Sequence, residues 1–281
     1  MITVTVISTK GGVGKTTLAA NLGALLADMG LRVLLIDADV KPSLSTFYPL
    51  AASRPDHGLT EVIVRGEVTD ACITPTMYQN LDIVVSDDPE GNLPHWLLNR
   101  IDRGFRLRAA LKSNAVIDAY DCVLIDTQGA LGPLQDAAAL AADILICPIS
   151  PEILSAREFK DGTMELLERL EPSNVMGTTL GPMKALIYGQ DRTIDARIIA
   201  GEIREDFIQL KGRVSVLDTV VPHAKAYKEA ATLRIPVHRH ERKRSRAAPS
   251  AYTVMHELAW ELIPSLQGVL VDSLPDPERI A

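Results

Sequence analysis

Short apolar runs alternate with longer segments of helical periodicity along most of the chain. Residues 2–8 (ITVTVIS) form a β-rich run that predicts a strand. A glycine-rich stretch follows, and then apolar residues recur at helical spacing from Leu18 to Met29, ending at Gly30. A second apolar run, residues 33–36, comes next. This β–loop–α–β order predicts the start of a doubly wound sheet.

The same alternation continues towards the carboxyl end. The near-continuous apolar run at 121–126 is typical of a strand whose two faces are both covered by helices. Further strands are expected at 81–86, 143–150, 183–188 and 216–221, and helices at 94–112, 151–170, 193–209, 223–233 and 249–263. The pattern predicts an α/β fold, a mostly parallel sheet flanked by helices on both faces.

No Pro-, Gly- or Ser-rich linker and no internal repeat divides the chain. We therefore expect residues 1–281 to form a single domain, with a core over about 2–265 and a peripheral tail at 266–281. The 281 residues, 47% hydrophobic and 23% charged, are enough for a large core without disulfides or metals.

Composition excludes several classes of protein. The three cysteines, Cys72, Cys122 and Cys147, do not form a C-x-x-C pair, and we expect buried, reduced thiols. No leader peptide or apolar run of about 18 residues is present, which predicts a cytoplasmic protein. A net charge of −7 argues against a protein that coats nucleic acid over its whole surface, but it leaves room for a local basic patch.

The most informative segment is TKGGVGKTT, residues 9–17, between the first strand and the first helix. Glycines let backbone N–H groups turn inward around phosphate oxygens, and the helix that follows favours anions at its N-terminus. Lys15 is placed to reach the β- and γ-phosphates, and the Thr16 hydroxyl to ligate Mg²⁺. The residues expected to contact nucleotide are Lys10, Gly11, Gly12, Val13, Gly14, Lys15, Thr16 and Thr17.

Aspartates follow two of the predicted strands. Asp126 ends VLID, and Asp37 and Asp39 follow the run LLI. Ligands of such sheets bind beyond the carboxyl ends of the strands, so these carboxylates are candidates for holding a metal or water. Residues 127–133 (TQGALGP) form a glycine-containing loop suited to sensing a γ-phosphate. Asp37 and Asp39 are also compatible with simple capping of a loop.

The phosphate loop departs from the strict G-x-x-x-x-G-K-[ST] pattern, because Thr9 stands at the first glycine and Lys10 precedes Gly11. Its K-G-G-x-G-K-T-T form resembles the deviant Walker A motif of the ParA/MinD family of P-loop ATPases. Asp126 resembles a Walker B aspartate. Residues 37–41 (DADVK) are similar to the family's D-x-D-P-Q, although Val40 and Lys41 depart from it.

The resemblance implies roles for several residues. Lys10 and Lys15 would act on the phosphates, and Asp39 would orient or activate the attacking water. Thr16, Asp37, Asp39 and Asp126 would form the metal network. The stretch DTVVPHAKAYKEA resembles the family segment that flanks the adenine, which would place Pro222 and His223 near the base.

The resemblance is nearest to ParA-type, Soj-like partition ATPases that lack an N-terminal helix-turn-helix, because the chain begins at its first strand. ATP would drive a homodimer in which Lys10 reaches the partner's phosphates. The dimer would bind double-stranded DNA without sequence preference, on the nucleoid. A ParB-like protein would stimulate slow hydrolysis, and the cycle would segregate a plasmid, chromosome or mobile element.

A basic cluster, HRHERKRSR, spans residues 238–246 and contains one acid, Glu241. It suits contacts to DNA phosphates and equally suits a solvated loop. The candidate DNA-binding residues are Arg239, Arg242, Lys243, Arg244 and Arg246. Within residues 100–112, four arginines and Lys112 predict an exposed helix face.

Other function classes fit less well. A membrane-cycling MinD-like protein needs a basic amphipathic C-terminal helix, but residues 269–281 contain two prolines and are net acidic. An iron-protein reductase needs cluster-binding cysteines, whereas Cys122 and Cys147 lie in predicted strands. A nucleotide-gated positioning factor for a protein complex, without DNA binding, stays open.

Overall fold

The structure is a computed structural model, and it describes residues 1–53, 57–208, 213–244 and 248–271. Its strands form an eight-stranded sheet in the order β3-β4-β2-β5-β1-β6-β7-β8. Neighbouring strands are parallel, except that the short edge strand β3 pairs antiparallel with β4. The strands are β1 (Ile2–Val6), β2 (Val33–Ala38), β3 (Thr74–Pro75), β4 (Leu81–Val84), β5 (Cys122–Thr127), β6 (Ile144–Ile149), β7 (Met183–Gln190) and β8 (Val214–Pro222).

Helices lie on both faces of this sheet. They are α1 (Lys15–Asp28), α2 (Leu59–Arg65), α3 (Asn92–Leu98), α4 (Arg106–Ala110), α5 (Asn114–Ile117), α6 (Pro133–Ala141), α7 (Ile153–Leu170), α8 (Ile194–Ile208), α9 (Lys225–Leu233), α10 (Val237–His240) and α11 (Ala251–Leu262).

Alternation along the strands divides the core into two sides. Leu35 and Leu124 pack with α1 and α9–α11, whereas Leu34 and Val123 pack with α2–α6. A further cluster beneath β6 and β7 packs α7 and α8. Because successive side chains of a strand point to opposite faces, a strand covered on both sides reads as a continuous apolar run. The predicted fold class is confirmed.

The helix predicted over 94–112 is wrong, because α3 ends at Leu98 and α4 begins only at Arg106. Asp102 lies in the turn between them and pairs with both Arg100 and Arg106. Arg106 also donates to the carbonyls of residues 63 and 64 and is only 15% exposed. The arginines of this segment therefore do not form one exposed helix face.

The three cysteines are buried and free, as predicted. Among the residues described, the helices are too short or too polar to span a bilayer.

Candidate functional site

The sheet order brings the predicted site residues to one edge. β5 lies between β1 and β2, and the register pairs Asp37 directly with Asp126. The glycine-rich loop continues from β1, whose Val6 also pairs with Asp126. Together with the loops that follow β2 and β5, it encloses a cleft of about 670 Å³.

The lining of the cleft combines predicted and unpredicted residues. It includes Gly11, Gly12, Gly14, Lys15, Thr16, Thr17 and Asp39 from the predicted set. Lys41, Ser43 and Gln128 also line it, and none of them was named as a site residue from the sequence. Gln128 lies in the loop 127–133 that the sequence marked as suited to sensing a γ-phosphate, and Lys41 ends the segment DADVK, whereas no sequence pattern indicated Ser43.

The loop conformation depends on glycine at two positions. Gly12 and Gly14 have φ of 76° and 88°, a left-handed conformation that side chains disfavour. Gly14 also packs against the ring of Tyr188, where an added Cβ would lie 2.4 Å from a ring carbon. Gly14 is the N-cap of α1 and provides no side-chain cap, so the first N–H groups of the helix stay available to an anion.

Lys15 is a largely buried cation, with 7% of its surface exposed. Its Nζ donates to the carbonyl of Lys10 at 3.1 Å. Burial lowers the pKa of Lys15, and the charges of Asp126 and Asp39 oppose that change. An ammonium held in this way gains a stronger partner when a phosphate enters the cleft.

Asp126 is fully buried, and neither of its carboxylate oxygens accepts a hydrogen bond from the described residues. Burial raises the pKa of Asp126 to about 7. The Thr16 hydroxyl lies close enough to lower that pKa but does not reach hydrogen-bond geometry. A buried carboxylate without donors is costly unless a cation completes it. Carboxylate and hydroxyl oxygens suit Mg²⁺, so the residues present fit that ion.

The metal that fits here would take few protein ligands. No group of three or more His, Cys, Asp or Glu in the described part of the chain is arranged to hold a metal ion. Magnesium is commonly held by one or two carboxylates together with substrate phosphates and water. This donor set therefore suits Mg²⁺ that arrives with a nucleotide.

The Asp37 carboxylate is engaged by the loop that follows β2, and its part in a metal network stays a prediction. Its Oδ2 accepts from the Ser45 backbone N–H at 2.7 Å and from the Ser45 hydroxyl at 2.6 Å, and its Oδ1 accepts from the Asp39 N–H at 3.4 Å. Burial raises the pKa of Asp37 to about 6. Its carboxylate holds the loop after β2 in place, which is the capping role that the sequence left open.

Asp39, by contrast, faces the cleft and is partly exposed. Its carboxylate accepts from the Lys41 N–H at 3.0 Å, and its carbonyl accepts from the Ser86 hydroxyl at 2.6 Å. The aspartate therefore has a fixed backbone and a carboxylate at the cleft surface.

Pro222 is the last residue of β8 and His223 follows it, beside the end of β7. Pro222 pairs with Gln190, and the His223 ring contacts Asp191 at 2.8 Å. They do not line the phosphate-loop cleft, although Tyr188 of the neighbouring strand β7 packs on Gly14. Contact of Pro222 and His223 with a base stays a prediction.

The basic cluster is not one exposed surface. Arg239 is only 9% exposed and binds Asp28 through two nitrogens, and His238 contacts the same carboxylate at 2.7 Å. The prediction that Arg239 contacts DNA is therefore wrong, because its guanidinium is used inside the fold. The other predicted residues differ in exposure.

Arg244 is 17% exposed and pairs with Glu241. Arg242 and Lys243 are exposed, although Arg242 also donates to the Val271 carbonyl. Arg246 lies outside the described residues. Among the described residues of this segment, Arg242 and Lys243 thus present most of the basic charge to solvent.

The sheet order, the glycine loop on β1 and the acidic end of β5 define a P-loop nucleotide-binding protein. Residues 1–173 match a family model described as an AAA domain. The chain is 31% identical over 229 residues to the chromosome partitioning protein ParA of Caulobacter vibrioides, covering 81% of this chain and 83% of that protein. It belongs to the ParA/MinD family of P-loop ATPases.

Two further similarities cover nearly the whole chain. The sporulation initiation inhibitor protein Soj of Bacillus subtilis is 29% identical over 258 residues, which are 91% of this chain and 97% of Soj. An ATP complex of an Asp-to-Ala variant of McdA from Cyanothece superposes with a TM-score of 0.76 at 22% identity, covering 98% of each chain. The McdA similarity shows the shared fold.

Proposed function

We propose that this protein binds and hydrolyses Mg-ATP, and the observation that carries the proposal is the buried Asp126 carboxylate beside Lys15 and Thr16. Its unpartnered oxygens are explained by a cation, and the phosphate loop beside it explains which ligand brings that cation. Thr16 and Asp126 would hold the Mg²⁺. When bound, the ion would neutralise charge on the β- and γ-phosphates.

The chain's own groups complete the site. The backbone N–H groups of the loop and of the first turn of α1 surround the phosphates, and Lys15 donates to them from a buried position. Asp39, at the cleft surface, accepts a hydrogen bond from the attacking water and orients it. Phosphoryl transfer needs mainly positioning and charge neutralisation, which these groups supply.

Calorimetric titration of ATP with and without Mg²⁺ tests this proposal. Lys15→Gln should lose nucleotide binding, because the substitution removes the cation from the phosphates and leaves the fold intact. Lys112→Gln, at an exposed lysine outside the cleft, is the matched control and should bind as the wild type does. Unchanged ATP affinity in Lys15→Gln would contradict the assignment of Lys15 as a phosphate-binding residue.

The finer proposal is a DNA-partition switch, in which ATP drives a homodimer that binds duplex DNA without sequence preference. It is supported by the likeness to ParA and Soj and by exposed Arg242 and Lys243. Lys10, at the start of the phosphate loop, would reach the nucleotide of the second protomer. A ParB-like partner would stimulate hydrolysis, and the ADP form would release the DNA.

DNA binding should be measured with ATP, with ADP and without nucleotide, at two salt concentrations. The double variant Arg242→Ala/Lys243→Ala should bind more weakly and show a smaller salt dependence, since each lost phosphate contact reduces counterion release. The double variant Arg32→Ala/Arg213→Ala removes the same charge from exposed ion pairs elsewhere and should bind normally.

A second candidate function is a nucleotide-gated positioning factor for a protein complex. The burial of Arg239 and the pairing of Arg244 favour it, because they reduce the basic surface available to DNA. ATP-dependent dimers that do not bind DNA in any nucleotide state would support this function and exclude the partition switch.

A further inference from the structure

Gln128 lines the same cleft as Asp39, and the site described so far does not use it. The last register pair of β2 and β5 joins Ala38 to Thr127, and Asp39 and Gln128 are the next residues of their chains. Because the two strands are parallel, these residues leave the sheet side by side. Each is two positions beyond one of the paired aspartates, Asp37 and Asp126.

The backbone at Gln128 is fixed relative to the phosphate loop. The amide nitrogen of Gln135, which is fully buried, donates to the Gln128 carbonyl at 3.3 Å and to the Ser8 carbonyl at 3.1 Å. The Thr127 hydroxyl donates to the Val6 carbonyl at 2.8 Å. Residue 128 is thus tied to the strand end from which the phosphate loop starts.

The next residue brings the two loops into direct contact. Gly129 lies against Gly11, and a Cβ added at Gly129 would be 2.8 Å from the Gly11 Cα. Only glycine permits this approach of one backbone to the other. The loop that carries Gln128 therefore packs directly on the phosphate loop.

The carboxamide of Gln128 is uncommitted. Its side chain makes no hydrogen bond with the residues that the structure describes, and its Nε2 lies beside Gly132, at 3.2 Å from where a Cβ would be. A glutamine amide offers a donor and an acceptor on one rigid group. Such a group can donate to a phosphate oxygen and accept from a water at the same time.

We propose that Gln128 is a second catalytic residue, which orients the attacking water opposite Asp39; the inference rests on the proposed ATPase function. The water oxygen forms a bond to the γ-phosphorus as the bond to the β,γ-bridging oxygen breaks, and that bond pair leaves with ADP. One water proton stays on the inorganic phosphate and the other passes to solvent. Gln128 exchanges no proton in this step, because a carboxamide is not a base at neutral pH.

The variant Gln128→Ala distinguishes a role in orienting the attacking water from a role in binding Mg-ATP. Its single-turnover rate of ATP hydrolysis should fall about 100- to 1,000-fold, in the range found when one positioned transition-state donor is removed. Its Kd for Mg-ATP should stay within about twofold of wild type, since the ground state does not need the contact. Gln79→Ala, at an exposed glutamine in the turn before β4, is the control and should hydrolyse normally.

A readout without turnover is binding of ADP with aluminium fluoride, a mimic of the transferring phosphoryl group. Gln128→Ala should lose affinity for this complex by the same factor as its rate, while ADP alone binds unchanged. Wild-type rate and aluminium fluoride affinity in the variant would overturn the proposal, and so would a matching loss of Mg-ATP affinity. A wild-type protein that binds Mg-ATP without hydrolysing it would overturn this inference and the proposed hydrolysis together, but not the nucleotide site.

Discussion

Replacing Asp126 by Asn should stabilise the metal-free protein while destroying its Mg²⁺ site. Burial raises the pKa of Asp126 from 3.8 to about 7. A carboxyl group whose pKa is raised by folding binds protons more tightly in the native state. Its ionisation therefore costs stability, and that cost grows as pH rises from about 4 to about 7.

The magnitude follows from the size of this shift. Three pKa units correspond to about 4 kcal/mol at pH 8, where the carboxyl is ionised in both states. Asn is close in shape to the neutral acid, but it leaves a buried N–H unpaired at a cost of about 1–3 kcal/mol. A net gain of roughly 1–3 kcal/mol remains, which is a rise in Tm of roughly 2–5 °C at an unfolding entropy of about 2.1 cal/mol/K per residue.

The assay is thermal unfolding of both proteins in EDTA between pH 5 and pH 8. The advantage of Asp126→Asn should be present at pH 8 and should fade towards pH 5, where Asp126 is protonated in the wild type. Asp121→Asn makes the same change just before the same strand, where Arg32 lowers the pKa to about 2, and it should give no gain. In Mg-ATP the wild type and Asp121→Asn should gain further stability through ligand binding, and Asp126→Asn should not.

The result that would refute this reasoning is an Asn variant no more stable than wild type at pH 8, or one whose advantage does not change with pH. Either result would mean that the Asp126 carboxylate is already satisfied without a cation. The case for a Mg²⁺ site that rests on its unpaired oxygens would then fail.

Three other predictions concern the same site and its supports. Asp39→Ala should bind ATP, hydrolyse it slowly and accumulate as a dimer, as measured by light scattering. Gly14→Ala should weaken ATP binding at least tenfold, because its Cβ would meet Tyr188, whereas Gly30→Ala (φ 97°, open space) should lose some stability and bind ATP normally. Arg239→Ala should lower the free energy of unfolding in urea by about 3–5 kcal/mol, because it leaves the Asp28 carboxylate without its charged partner.

The fold and the phosphate loop were predictable because each rests on local chemistry. Strands covered on both faces read as continuous apolar runs, and a loop that turns its N–H groups inward needs glycines at fixed positions. The break in the helix predicted over 94–112 could not be seen from periodicity. At the break, Asp102 binds two arginines, and one of them, Arg106, also donates to the distant carbonyls of residues 63 and 64.

The roles of Asp37 and Asp126 show where the local sequence pattern stops being informative. Asp37 and Asp126 both end apolar strands, and the sheet register makes them neighbours. Asp37 is held by Ser45, whereas Asp126 has no donor among the described residues. That difference depends on how the loop after β2 folds back. No spacing in the sequence encodes it.

The basic cluster, residues 238–246, is a second case in which the sequence pattern does not show which side chains are exposed. Arg239 and Arg242 are three residues apart in one charged run, but a buried Asp28 at the end of α1 takes Arg239 into the core. A count of basic residues in a sequence does not show which of them are already paired with an acid inside the fold. A phosphate backbone can use exposed cations such as Arg242 and Lys243, which form no ion pair among the described residues, so the DNA-binding test belongs on that pair.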